Sequence, residues 1–188
     1  MLFRSGLAFH WYSGGHFENV RKTREAFPGK YLLFTEGCLE NGVKLGQWDR
    51  GEHYAHNIIG DFTHGANGWL DWNLLLDLRG GPNHVANFCD APLVADPVAN
   101  RVYYQSSYYY IGHFSKYVAP GARRIHCATT DPRLETVAFR NPDHTVVLIV
   151  FNPSAEECRF QLVIDGQGAM ATSLPHSIVT YLRKGRSS

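Results

Sequence analysis

The run Tyr31-Leu32-Leu33-Phe34-Thr35-Glu36-Gly37-Cys38 is an apolar β segment that ends in a single carboxylate followed by glycine. Burial disfavours the charged form of a carboxylate, so an acid at the tip of a buried strand is costly unless it has a task. Two tasks fit. In a βα barrel the C-terminal strand tips are where catalytic side chains gather, and an ionised Glu36 there is a nucleophile in waiting. Alternatively, Glu36 is a structural strand-end acid held by backbone N–H groups. A second segment, Gly68-Trp69-Leu70-Asp71-Trp72-Asn73, ends in an aromatic and polar cluster of the kind that grips sugars. An indole face stacks on the apolar C–H face of a sugar ring, although Trp72 alone fits an ordinary core tryptophan equally well. Asp71, set between two tryptophans inside a predicted strand, reads as a buried structural carboxylate rather than a second catalytic acid. His10 reads as a satisfied histidine beneath the site.

The elements that must carry these residues alternate strand and helix over the first hundred positions. Residues 7–9 form a short apolar strand whose end bears His10, Trp11 and Tyr12. Residues 17–27 read as a charged helix stopped by Pro28-Gly29, and residues 31–35 as the next strand. A helix from about Asp49 places Tyr54, Ile58, Ile59 and Phe62 on one face at helical period, ending at His64-Gly65. Residues 68–72 are the third strand. Strands separated by helices argue for βα units with a parallel sheet. The Gly80-Gly81-Pro82-Asn83 stretch and the residues up to about Pro92 read as loop, and residues 105–118 as a last helix. Beyond Arg123 the pattern changes to short β runs at 125–129, 136–140, 145–151, 159–164, 169–173 and 178–182. Asn-Pro-Asp, Asn-Pro-Ser and Asp-Gly turns punctuate them, which predicts an antiparallel sandwich. Val137, Phe139, Val147, Ile149, Phe151, Leu162 and Ile164 are expected to face inward. Residues 183–188 read as a frayed tail.

Composition narrows the partners. With 188 residues, 44% of them apolar and 19% charged, the chain is globular and long enough for a sizeable core. A formal net charge of +1 gives no electrostatic footprint for nucleic acid or an anionic membrane. No run approaches the length of a membrane span, and the chain reads as soluble. Aromatics at 13%, many near strand ends, suit a carbohydrate site. The four cysteines, Cys38, Cys89, Cys127 and Cys158, form no C-x-x-C pair and read as buried thiols.

Six motifs occur in order: His10-Trp11-Tyr12, Thr35-Glu36-Gly37-Cys38, Gly46-Gln47-Trp48-Asp49-Arg50, Gly68-Trp69-Leu70-Asp71-Trp72-Asn73, Gly80-Gly81-Pro82-Asn83 and Gly112-His113-Phe114-Ser115-Lys116. Together they resemble glycoside hydrolase family 30, the glucosylceramidase-like enzymes, over essentially the whole chain. The resemblance implies α/β plus all-β architecture: the C-terminal part of a (β/α)8 barrel, about strands six to eight, over residues 1–120, then an antiparallel β-sandwich over 121–188. It implies retaining hydrolysis of a β-glycoside such as a glucoside or glucosylceramide, with neither metal nor cofactor. Glu36, at the end of the seventh barrel strand, becomes the nucleophile. Tyr12, from the end of the sixth, becomes the tyrosine that hydrogen-bonds it. Trp72 lines the glycone pocket, and Asn87 and Phe88 border the entrance; without the resemblance those two read as plain loop residues. His84 departs from the animal lysosomal enzymes, which have tryptophan there, so their lipid-specific entrance contacts are not carried over.

The main departure concerns the acid. A retaining glycosidase needs one carboxylate to attack the anomeric carbon and a second to protonate the leaving oxygen, about 5–5.5 Å apart. The family places the second in an Asn-Glu-Pro motif on the fourth strand, and these 188 residues contain no Asn-Glu-Pro. The expectation is therefore the C-terminal part of an enzyme, from a truncated or split reading frame, inactive alone and completed by an N-terminal half. The alternatives are a noncatalytic carbohydrate-binding or interaction module, and one subunit of a split enzyme. Aglycone and compartment stay open.

Overall fold

A computed structural model of the chain describes residues 5–12, 14–83 and 85–185. These residues divide into two compact units, the first ending at Ile111 and the second starting at Gly112.

The first unit opens with the expected βα alternation. Strands β1 (Gly6–His10), β2 (Tyr31–Glu36) and β3 (Gly68–Trp69) form a parallel sheet in that order, with helices α1 (Phe17–Ala26) and α2 (Asp49–Thr63) as the crossovers. Leu32 and Phe34 are buried on one face of β2, and α2 buries Tyr54, Ile58 and Ile59 on the face that the sequence periodicity marked. The ring of Phe34 stacks on Trp69 at 4.4 Å, which fixes β2 against β3. Helix α1 buries none of its residues fully and is held by the Phe17 ring, which packs against His56 and His64, and by polar contacts. Arg24 donates to the carbonyls of Gly65 and Lys30, each at 2.8 Å, and Arg21 pairs with Glu18 and Glu25.

The third strand is shorter than its sequence segment suggests. It ends at Trp69, although the Leu70 N–H still donates to the Phe34 carbonyl at 2.9 Å, and beyond it Asp71 accepts a 2.9 Å hydrogen bond from the Tyr54 hydroxyl. Residues 75–104 also hold a sheet that the sequence reading missed. Strand β4 (Leu75–Asp77) pairs parallel with β5 (Leu93–Asp96), and β5 pairs antiparallel with β6 (Arg101–Tyr104). Runs of three or four residues are too short to show a period. The turn between β5 and β6 did carry a signal: Asp96 Oδ1 accepts from the backbone N–H groups of Val98 and Ala99. Helix α3 (Ser106–Ser115) follows, within the predicted 105–118. No helix among the described residues is long and apolar enough to cross a membrane.

The second unit is antiparallel. Strands β7 (Arg123–Ile125), β8 (Glu135–Arg140), β9 (Val146–Asn152) and β12 (Ser177–Arg183) form a sheet in the order β12-β9-β8-β7, and β10 (Cys158–Ile164) pairs with β11 (Gln167–Ser173) as a hairpin. Two expectations need correction. The first strand lies at Arg123–Ile125, not 125–129, because the chain departs after pairing Ile125 with Ala138 and turns at Asp131. The seven residues expected to face inward do not form one cluster. Val137, Phe139, Val147, Ile149 and Phe151 are buried together on one face of the sheet, paired across β8 and β9. Leu162 instead packs with Leu134, Ala138, Leu148, Val150 and Cys158 on the opposite face, and Ile164 is only half-buried. Strand β9 is buried on both faces, so alternation along it does not separate inside from outside. Arg183 belongs to β12 rather than to a tail, and residues 186–188 lie outside those described.

Candidate active site

Local structure brings Glu36 to the end of β2 through a break in register. Phe9 pairs with Phe34 but His10 pairs with Glu36, so Thr35 is left over as a bulge. A bulge bends its strand and re-aims the side chains beyond it. Thr35 is secured by its own hydroxyl, 3.0 Å from Nε2 of His10, which makes His10 a supporting residue beneath the site. Gly37 follows because nothing larger fits: a Cβ there would lie 2.8 Å from the Phe34 ring and 3.1 Å from Trp11. The carbonyl of Gly37 accepts the N–H of Trp72 at 3.0 Å, which carries the tryptophan to the same end of the sheet.

Glu36 lines a cavity of about 460 Å³ together with Trp11, Tyr12, Glu40, Trp72 and Asn87. The Tyr12 hydroxyl donates to Oε1 of Glu36 at 2.9 Å. That hydrogen bond, and next the slight desolvation of the phenol, raise the pKa of Tyr12 above the ordinary tyrosine value, so the phenol stays protonated and able to donate at neutral pH. Trp72 is 55% exposed and Tyr12 76% exposed, so neither is a core aromatic. Asn87 donates through Nδ2 to Oε1 of Glu40 at 2.9 Å, placing a second carboxylate on the cavity wall. Of the five residues singled out in the sequence, four line this cavity: Glu36, Tyr12, Trp72 and Asn87. Phe88 is not among its lining residues; its ring lies under the guanidinium of Arg79 at 5.4 Å. His84 lies outside the described residues.

The far wall comes from residues 80–83 and 85–89, part of the stretch that the sequence reads as loop and that carries Asn87 and Phe88. Gly80 has φ of +84°, and a Cβ there would sit 2.2 Å from the carbonyl oxygen of Cys89, so only glycine lets these strands of the loop meet. An ion pair ties this wall to the loop after β2. Arg50 Nη1 lies 2.9 Å from Oδ2 of Asp90, with side chains only 14% and 7% exposed, and Gln105 donates to Oδ1 of Asp90 at 3.0 Å. Arg50 also donates to the carbonyl of Gly42. Asp71 is not among the cavity-lining residues. Its Oδ2 is buried and accepts no hydrogen bond among the described residues, and burial pushes its pKa up to about 6. The Glu40 and Cys89 contributions were missed in the sequence, since each sits in a loop whose path no local pattern specifies, and Trp11, placed beside Tyr12 at the end of β1, was not singled out.

The arrangement can hold an ionised carboxylate, with a phenolic donor fixed on it, beside an exposed indole face. Comparison with known proteins gives the same direction. Residues 2–118 match the family described as glycosyl hydrolase family 30 TIM-barrel domain, and residues 121–181 the glycosyl hydrolase family 30 beta sandwich domain. The chain is 37% identical over 187 residues to mouse (Mus musculus) lysosomal acid glucosylceramidase, covering 94% of this chain and 36% of that protein. It is 35% identical over 192 residues to putative glucosylceramidase 4 of Caenorhabditis elegans, covering 95% of this chain and 37% of that one. The chain thus spans little more than a third of the length of the curated relatives it matches. Among solved structures, SrfJ from Salmonella typhimurium superposes with a TM-score of 0.92 at 39% identity, covering 97% of this chain and 41% of that one. An endo-β1,6-glucanase superposes with a TM-score of 0.83 at 26% identity, covering 96% and 41%. A TIM-barrel portion followed by a β-sandwich, matched along nearly its whole length by these relatives, places the chain in glycosyl hydrolase family 30.

Proposed function

We propose that Glu36 is the nucleophile of a retaining β-glycoside hydrolase of the glucosylceramidase type. Tyr12 orients the carboxylate, Trp72 forms the platform for the sugar, and Asn87 and Phe88 belong to the substrate-binding loop. The observation that carries this reading is the 2.9 Å hydrogen bond from Tyr12 to Glu36 inside a cavity shared with Trp72. A sugar seated on the indole would present its anomeric carbon to Glu36. Attack forms a glycosyl ester with Glu36 as the aglycone leaves, and water then cleaves the ester. The catalytic division is taken at 120/121, with the sandwich from 121 onward.

The proton for the leaving oxygen comes, in this reading, from a carboxyl group on a barrel strand outside these 188 residues. The partner part is an N-terminal half with an Asn-Glu-Pro strand, and the substrate is a glucoside or glucosylceramide-like β-glycoside. The chain alone is then a poor catalyst on natural substrates. A noncatalytic sugar-binding role is the competing reading, and it needs Trp72 but not the charge on Glu36. Glu36→Gln separates the two. In the enzyme completed by its N-terminal half, it should cut turnover by several orders of magnitude while leaving sugar binding in place. Turnover within tenfold of the unmodified enzyme would rule out the nucleophile assignment.

A further inference from the structure

Two of the four cysteines meet on the wall of the Glu36 cavity, 51 residues apart in sequence. Sγ of Cys38 lies 2.9 Å from Sγ of Cys89, and both side chains line the cavity. Backbone bonds pin both segments around them. The N–H of Asp90 donates to the carbonyl of Leu39 at 2.8 Å, that of Gly42 to the carbonyl of Phe88 at 2.8 Å, and that of Cys89 to the carbonyl of Gly80 at 3.1 Å. Residues Glu40 and Cys89 form an isolated antiparallel bridge between the same two segments. Leu76 and Ala91 pack against Cys89 from the core side. The sulfurs are therefore held together by the loops rather than meeting by chance rotation. Closing the gap to a covalent S–S distance of about 2.05 Å takes under about 1 Å of movement.

We propose that Cys38 and Cys89 form a reversible disulfide, made by exchange with a low-molecular-weight disulfide, that tethers the loop after β2 to the loop bearing Asn87. Cys38 is half-exposed and Cys89 buried, so Cys38 reacts first. Its thiolate attacks one sulfur of the small disulfide. That S–S bond breaks, and one small thiol leaves with the proton that Cys38 gave up. The Cys89 sulfur then attacks the Cys38 sulfur of the mixed disulfide and expels the second small thiol with the proton from Cys89. Two electrons pass from the protein pair to the small disulfide, and a small dithiol reverses both steps. Burial, and then the hydrogen bond with Cys89, push the Cys38 thiol pKa well up. The attacking thiolate is correspondingly scarce, and the first step is slow at neutral pH. The other two cysteines lack such an arrangement. Cys127 donates to the Thr136 hydroxyl and Cys158 to the carbonyl of Glu156, both within the sandwich unit.

The test is a mass measurement on the full chain and does not rest on Glu36 being catalytic. The native protein is incubated with oxidised glutathione at mildly alkaline pH, quenched with acid, denatured, alkylated and digested. The expected product has lost the mass of two hydrogen atoms, keeps Cys127 and Cys158 alkylatable, and yields one linked peptide pair joining Cys38 to Cys89. Dithiothreitol should return all four thiols. Cys89→Ser should instead stop at a glutathione adduct on Cys38. Four alkylated thiols after oxidation, a lasting glutathione adduct on Cys38 of the unmodified chain, or a linked pair involving Cys127 or Cys158 would each overturn the proposal.

Discussion

At the residue scale, the phenol on Glu36 is the feature whose removal is most informative. Tyr12→Phe keeps the ring and deletes one hydrogen bond to a charged acceptor. Tyr12 is exposed, so solvent screens that bond and its loss is a modest one. In the completed enzyme the change should reduce kcat roughly 3- to 30-fold with KM little altered, as expected for a group that orients the nucleophile rather than grips the sugar. Steady-state kinetics on an aryl β-glucoside would check this; an unchanged kcat would remove Tyr12 from the mechanism. Legibility in the sequence was uneven at this scale. Glu36 stood out because a charged residue ended an apolar run. Glu40 did not, because its place on the cavity wall depends on where two loops fold back, a long-range fact.

Asp61 is buried on α2 and accepts a 3.1 Å hydrogen bond from Trp69 Nε1. Burial pushes its pKa up to about 7, outweighing the Trp69 bond, which acts in the opposite direction. In the unfolded chain it titrates near 3.9. Between those values the folded state holds one proton more than the unfolded state. Stability from this group is therefore greatest below about pH 4 and falls as pH rises toward 7. Asp61→Asn keeps an acceptor for Trp69 and removes the titration. It should raise thermal stability at pH 8 by about 1–3 kcal/mol, with the difference vanishing near pH 4. Melting curves at the two pH values decide it; equal gains at both would show that charge is not the cause.

At the scale of elements, the two cavity walls are joined by the Arg50–Asp90 pair rather than by strand pairing alone. Asp90→Ala would leave a guanidinium nearly buried without its carboxylate, which typically costs about 3–5 kcal/mol. The loss should appear in denaturant unfolding, with faster hydrogen exchange in residues 37–48 and 80–90. Unfolding unchanged within error would mean that the loops are held by other contacts. Helix α2 was readable because its apolar residues recur at 3.6 over enough turns to be seen, and strand β2 because it is a short continuous apolar run bounded by Pro28-Gly29 and Gly37. Strands β4 to β6 were not, because three or four residues carry no period and their pairing is set by neighbours distant in sequence. The sandwich strands after the first were located well, but β9 is apolar on both sides and so gave no face.

For the whole molecule, the account requires that the nucleophile side of the site reside in this chain and the proton donor elsewhere. General-acid help is worth about 10²–10⁴-fold on a poor leaving group. A glucoside with a dinitrophenolate leaving group needs none, and fluorine at C2 of the sugar destabilises positive charge in both steps. Such a compound should load the nucleophile and leave it loaded. The deciding measurement is peptide mass mapping after incubation of the completed enzyme with a dinitrophenyl 2-deoxy-2-fluoro-β-glucoside. The account predicts one fluoroglucosyl ester, on the peptide carrying Glu36, absent in Glu36→Gln. An ester on Glu40 or any other carboxylate, or no ester in a preparation that hydrolyses β-glucosides, would contradict it.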